Sequence, residues 1–183
     1  GGKWNGMMIQ KHIGYTTWND NFPHDMLPKL YQVKPRTDSW IIDAKGDKVV
    51  LEAEHYFSKR DGEGARWIDI PFIGPSLGAM TLRPTTASVN GAQLEYRFRG
   101  MQPTDRVAIT LTTKCTRDFL NQGGLRYRVS LDGKGETVNF NANLNEKPEN
   151  IYSIYYPTVA RRIVEKQVTL PLQQLSDGIH RLV

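Results

Sequence analysis

Residues 92–99 read AQLEYRFR, and residues 125–133 read LRYRVSLDG. In both stretches apolar and polar residues alternate, and successive side chains of a β-strand point to opposite faces. Leu94, Tyr96 and Phe98 are therefore expected to face a core, with Gln93, Glu95, Arg97 and Arg99 facing outward. The second stretch repeats the plan, with Leu125, Tyr127, Val129 and Leu131 inward and Arg126, Arg128 and Ser130 outward. The continuation LDGKGETV (131–138) sets a Gly-containing loop between two alternating runs, which predicts a hairpin.

Further runs of the same kind lie on both sides: KVVLEAEHY (48–56), ARWIDIPF (65–72), GAMTLRP (78–84), RVAITLTT (106–113), ETVNFNA (136–142) and KQVTLPL (166–172). Gly, Pro, Asn and Asp clusters separate them, and eight short strands at this spacing predict an all-β sandwich or barrel. The one helical spacing is weak: in PTVARRIVEK (157–166), Val159, Ile163 and Val164 share a side. Residues 1–38 differ from the rest, being rich in aromatics, Met, Asn and Pro with no sustained period, so they are expected to form an irregular connector ahead of a 39–183 sandwich domain. Trp4, Met7, Met8, Ile13, Tyr15 and Trp18 are too apolar for a free linker and call for a covering surface, from the sandwich, a second copy of the chain or further domains.

Composition narrows the function. At 183 residues and 39% hydrophobic, the chain is long and apolar enough to bury one core. No apolar run approaches the roughly 18 residues that cross a bilayer, and the first residues lack a signal peptide's basic start and apolar stretch. The net charge of +5 is spread along the chain, without the dense basic stripe or module pattern that nucleic acid would require. A lone Cys115, at the end of an alternating run, excludes an internal disulfide and paired-cysteine zinc sites, and reads as an inert, half-buried strand-end thiol. His12, His24, His55 and His180 have no metal-ligand spacing. The chain starts without Met and stops inside a strand-like pattern, GIHRLV, so it is expected to be a fragment whose function is completed by sequence outside it.

The opening GGKWNGMMIQKHIGYTTWNDNFPHDMLP, with LEAEHYFSKRDGEGARWIDIPFIGPSLGAMTLRP, GGLRYRVSLDG, VARRIVEK and the final DGIHRLV, resembles glycoside hydrolase family 115, the xylan α-1,2-glucuronidases. The resemblance covers almost the whole chain and implies the family's C-terminal antiparallel β-sandwich, a jelly roll like that of carbohydrate-binding modules. It implies a secreted or periplasmic parent enzyme that removes glucuronic acid or its 4-O-methyl ether from xylan, with catalytic carboxylates on a barrel domain outside this chain. It also implies a last strand beyond the present end. The implied partners are the parent's other domains, glucuronoxylan or an acidic oligosaccharide, and a second copy of the chain. Leu51-Glu52-Ala53-Glu54 is also similar to the EAE-type first strand of carbohydrate-binding module families 6 and 35.

Candidate site residues follow. Glu52 and Glu54 would lie about 7 Å apart on one strand face. That is within the 5 to 10 Å of a glycosidase pair, but such a pair must flank the sugar from opposite sides, so no catalytic pair is assigned. A structural calcium ion is the cofactor these two carboxylates suggest, at the place the likeness to families 6 and 35 implies, although calcium requires further oxygen ligands. In NEKPENIYSIYYP (145–157), Tyr152, Tyr155 and Tyr156 read either as a sugar-stacking surface on a loop or as a cap of the core. Arg97, Arg99, Arg126 and Arg128 would form one arginine-rich face if their strands are neighbours, able to hold a uronate carboxylate in bidentate fashion or simply to meet solvent or another domain. An autonomous calcium-dependent carbohydrate-binding module is the alternative to an architectural domain.

Overall fold

The computed structural model describes residues 40–73, 78–116, 118, 122–141, 149, 152–153 and 156–183. The connector 1–38 and Tyr155 lie outside the described residues. The described elements are β1 (Ile41–Asp43), β2 (Ser58–Arg60), β3 (Arg66–Pro71), β4 (Gly78–Arg83), β5 (Gln93–Arg99), β6 (Arg106–Lys114), β7 (Arg126–Leu131), β8 (Lys134–Asn139), the six-residue helix α1 (Tyr156–Arg161), β9 (Ile163–Pro171) and β10 (Ile179–Leu182).

The main sheet runs β1-β5-β10-β7-β8, with β2 also paired to β5. Its pairings are antiparallel except for β1, which lies parallel to β5. Two further pairs, β3-β4 and β6-β9, are antiparallel. The core forms where the apolar faces of the main sheet and of β6-β9 meet: Phe98, Val129 and Leu131 from one, Val168 and Leu170 from the other. Leu131 is completely buried. Two packed sheets with alternating inward residues make an all-β sandwich, as the sequence predicts.

The hairpin forms at the expected place. Asp132 and Gly133 link β7 to β8 with φ of 51° and 85°, and Leu131 faces Lys134 across the turn. Positive φ at both central residues is the backbone whose twist matches the flanking strands, and Asp-Gly is a favoured pair for it. The last strand, β10, enters the middle of the main sheet between β5 and β7.

Three local expectations are corrected. KVVLEAEHY is not a strand: the His55 N–H donates to Glu52 O at 2.9 Å, closing a turn, and the Tyr96 hydroxyl donates to Ala53 O at 2.8 Å. Turn and side-chain partners thus satisfy backbone that a ladder would otherwise use. In PTVARRIVEK the helix stops at Arg161, Arg162 takes φ 58°, and Ile163 begins β9. From there the sequence has a second reading, period two, that buries Val164, Val168 and Leu170, and pairing with β6 along nine residues outweighs a short helix. Finally Glu95, expected on the outward face, is only 5% exposed there.

Candidate functional site

Tyr152 and Tyr156 are brought together. Their rings lie 5.7 Å apart and within 7° of parallel, and the residues are 81% and 57% exposed. Tyr156 opens α1, which is tied to the end of β6 where the Cys115 thiol donates to Thr158 O at 3.3 Å. Cys115 is at the strand end where it was expected, but exposed rather than half-buried. An ion pair between Arg161 and Glu165 links the helix to β9. Two nearly parallel phenol rings facing solvent offer apolar faces and hydroxyls, the combination on which a pyranose ring stacks.

The arginines do not gather as one face. β10 lies between β5 and β7, so Arg97 and Arg99 are separated from Arg126 and Arg128. What adjoins Arg97 is Arg181, its cross-strand partner on β10. Like charges directly opposite repel, and here a buried carboxylate joins them: Arg97 Nε donates to Glu95 Oε1 at 2.8 Å, and Arg181 Nη2 lies 2.8 Å from Glu95 Oε2. The Arg97 guanidinium also sits 3.7 Å above the centre of the Phe57 ring. Burial alone would raise the Glu95 carboxyl, but the hydrogen bonds and positive charge of Arg97 and Arg181 outweigh it and hold its pKa below the ordinary value. Arg99 pairs with Asp43 at 2.7 Å in the open. Arg126 donates to Gly123 O at 3.3 Å, whereas Arg128 is exposed with no ion pair among the described residues.

Glu52 and Glu54 lie in the turn before β2, not on a strand. Glu54 Oε2 is buried with no hydrogen-bond partner among the described residues. A Cβ at Gly78 would meet Asp69 Oδ1 at 3.3 Å and Glu54 Oε1 at 3.5 Å, so these two carboxylates converge on one side of β4. Burial, followed by the negative charge of Glu54, pushes the nearby Tyr96 phenol well above its usual range. Among the described residues no group of three or more His, Cys, Asp or Glu side chains could hold a metal ion.

A second buried carboxylate was not foreseen. Asp132, at the hairpin turn, accepts from the Arg181 N–H at 2.8 Å through Oδ1, and His180 Nδ1 lies 2.9 Å from its Oδ2. Both side chains are below a tenth exposed, so the pair clasps β10 against the turn and is closed to a substrate. Its sequence signal was the Asp-Gly dipeptide, which announces a turn but not a carboxylate that seats a strand 48 residues later.

Fold and surfaces together define a β-sandwich domain that presents exposed aromatic and arginine side chains. The glycosyl hydrolase family 115 C-terminal domain matches residues 44–183, about three quarters of the chain. The chain belongs to that family, as the resemblance implied. No curated protein matches it.

Proposed function

We propose that the chain is a non-catalytic, architectural module of a secreted or periplasmic xylan α-1,2-glucuronidase, and that it contacts the acidic xylan through Tyr152 and Tyr156. The observation that carries the contact is the near-parallel, solvent-facing pair of rings. The absence of catalysis is argued from the carboxylates. A glycosidase pair flanks a bound sugar, whereas Glu95 is held between two arginines and Asp132 is buried against His180. Purified chain should release no glucuronic acid from aldouronic oligosaccharides. In the parent enzyme, Tyr152→Ala should lower turnover on polymeric xylan, while the melting temperature of the chain moves by a degree or so, since exposed substitutions cost below about 0.5 kcal/mol. Carboxylate-dependent release of glucuronic acid by the chain, or normal turnover with a destabilised chain, would contradict the proposal.

A second reading, a structural calcium ion, is favoured by one observation, the orphaned Oε2 of Glu54, whose other oxygen converges with Asp69 Oδ1 at Gly78. Calcium takes six to eight oxygens, so these two carboxylates fit it only in part, with backbone carbonyls of the turn as the remaining candidates. Calcium should then raise the melting temperature, chelator should lower it, and Glu54→Gln should abolish the difference; an unchanged melting temperature in all three removes the ion.

A further inference from the structure

Asn141 lies just past β8 and is only 6% exposed. A side-chain amide carries an acceptor and a donor, and a buried one needs partners for both. Asn141 spends them on two segments that no strand ladder joins among the described residues. Its Oδ1 accepts from the Leu125 N–H, ahead of β7, and its Nδ2 donates to Thr116 O at 3.1 Å, past the end of β6. The β7 side is stiff without it. There the Gly124 N–H donates to Asp118 Oδ2 at 2.7 Å, Asn139 Nδ2 to Gly123 O at 2.7 Å, and the Phe140 N–H to Leu125 O at 3.0 Å. Gly124 takes φ 96°, and a Cβ there would stand 2.3 Å from Asn139 Oδ1, so the close packing of Asn139 requires glycine.

The β6 side depends on it. The β6-β9 ladder ends at the Lys114 and Ile163 pair, and Cys115 and Thr116 continue beyond it. Among the described residues, the bonds that hold these two are the one from Asn141 to Thr116 O and the one from the Cys115 thiol to Thr158 O at 3.3 Å. Thr158 belongs to α1, which Tyr156 opens, and the Tyr156 ring is the one that lies 5.7 Å from Tyr152. We propose that Asn141 is a positioning residue for this aromatic pair: through Thr116, Cys115 and Thr158 it sets the place of α1, and so the spacing and tilt of Tyr156 against Tyr152. Contact groups of a binding site must be held to within about 0.5 Å by supporting bonds. Two exposed rings beside a six-residue helix have neither the burial nor the helix length to hold themselves. The proposal rests on the tyrosine contact above for its functional meaning, whereas the ring geometry that Asn141 sets is measured without any ligand.

The test compares variants of the full 183-residue chain by the ring-proton cross-peaks between Tyr152 and Tyr156, and by calorimetric titration with a xylooligosaccharide carrying a glucuronic acid branch. Asn141→Asp keeps the shape and the acceptor for Leu125 but loses the donor to Thr116 O, so it cuts only the β6 side. Cys115→Ala cuts the next link at an exposed residue, and Cys115→Ser restores a donor there. Asn141→Asp and Cys115→Ala should each weaken the cross-peaks, and should each weaken oligosaccharide binding by roughly threefold or more. Cys115→Ser should recover both. Leu131→Ala, which removes core contacts remote from this link, should keep the cross-peaks at temperatures where it is folded, and so separates positioning from stability. Should Asn141→Asp fail to fold, Cys115→Ala still decides. Native cross-peaks in Asn141→Asp or in Cys115→Ala, or an equal loss of them in folded Leu131→Ala, would overturn the proposal. Weakened cross-peaks in the two variants, with no oligosaccharide binding by the native chain, would uphold the positioning and remove the tyrosine contact.

Discussion

At Glu95 one carboxylate serves two cations and is nearly removed from water. Removing one partner of a buried ionic group leaves the others desolvated and unpaired, which is the costly half of such an arrangement. Glu95→Gln keeps the shape, leaves Arg97 and Arg181 facing each other, and is expected to cost about 1 to 3 kcal/mol at neutral pH by chemical denaturation. The same residue sets a pH dependence. Its folded pKa lies below the ordinary value, so its contribution is present above the unfolded carboxylate pKa of about 4.3 and is lost as pH falls through the folded one. The gap between wild type and Glu95→Gln should therefore be widest at neutral pH and close on acidification below the unfolded value. A gap that stays constant or widens in acid would show that the arginines do not depend on the charge. Glu95 was misread in the sequence because alternation assigns a side of the sheet, and which side meets solvent depends on what else folds over it; here Arg97 and Arg181 reach across the carboxylate.

Among the elements, β10 depends most on a contact remote in sequence. Four residues lie between β5 and β7, and the Asp132 carboxylate holds their entry through the Arg181 N–H and His180. Asp132→Gly permits the left-handed backbone at least as readily, so it isolates the side chain from the turn. It should destabilise the chain by about 1 to 2 kcal/mol and speed hydrogen exchange at the Arg181 amide selectively. Unchanged exchange at Arg181 would mean that the turn needs only its backbone conformation. The hairpin itself was legible because its period-two runs and its Gly-containing turn agree. KVVLEAEHY and PTVARRIVEK misled for the opposite reason: each holds a local pattern that tertiary contacts override, Tyr96 bonding to Ala53 in the first and β6 pairing with Ile163–Pro171 in the second.

For the molecule as a whole, the two-layer arrangement concentrates its apolar contacts on few residues, with Leu131 at the centre. Leu131→Ala is expected to cost about 2 to 5 kcal/mol, a large part of a domain's net stability, and should move the urea midpoint without changing which sheets form. A loss below about 1 kcal/mol would place the core elsewhere. The all-β class and most strands were readable because alternation survives wherever a sheet has one buried face. The candidate site was readable only in part. The clustered tyrosines of 152–156 left an aromatic surface and a core cap both open, whereas the separation of the arginines by β10 arises from strand order, which no local pattern states. Deleting residues 1–38 should alter sedimentation or solubility if the Trp4 to Trp18 belt requires a covering surface, and identical sedimentation and melting temperature would make it a passive linker.

The central claim, that this sandwich is a sugar-contacting module, is tested most directly by calorimetric titration of the chain with acidic xylooligosaccharides carrying a glucuronic acid branch, beside the Tyr152→Ala variant. The account predicts measurable binding to the native chain and a loss of roughly tenfold in the variant, the scale of one removed aromatic stacking contact, with the melting temperature unchanged. No heat of binding with the native chain, or equal affinity in the variant, would contradict it.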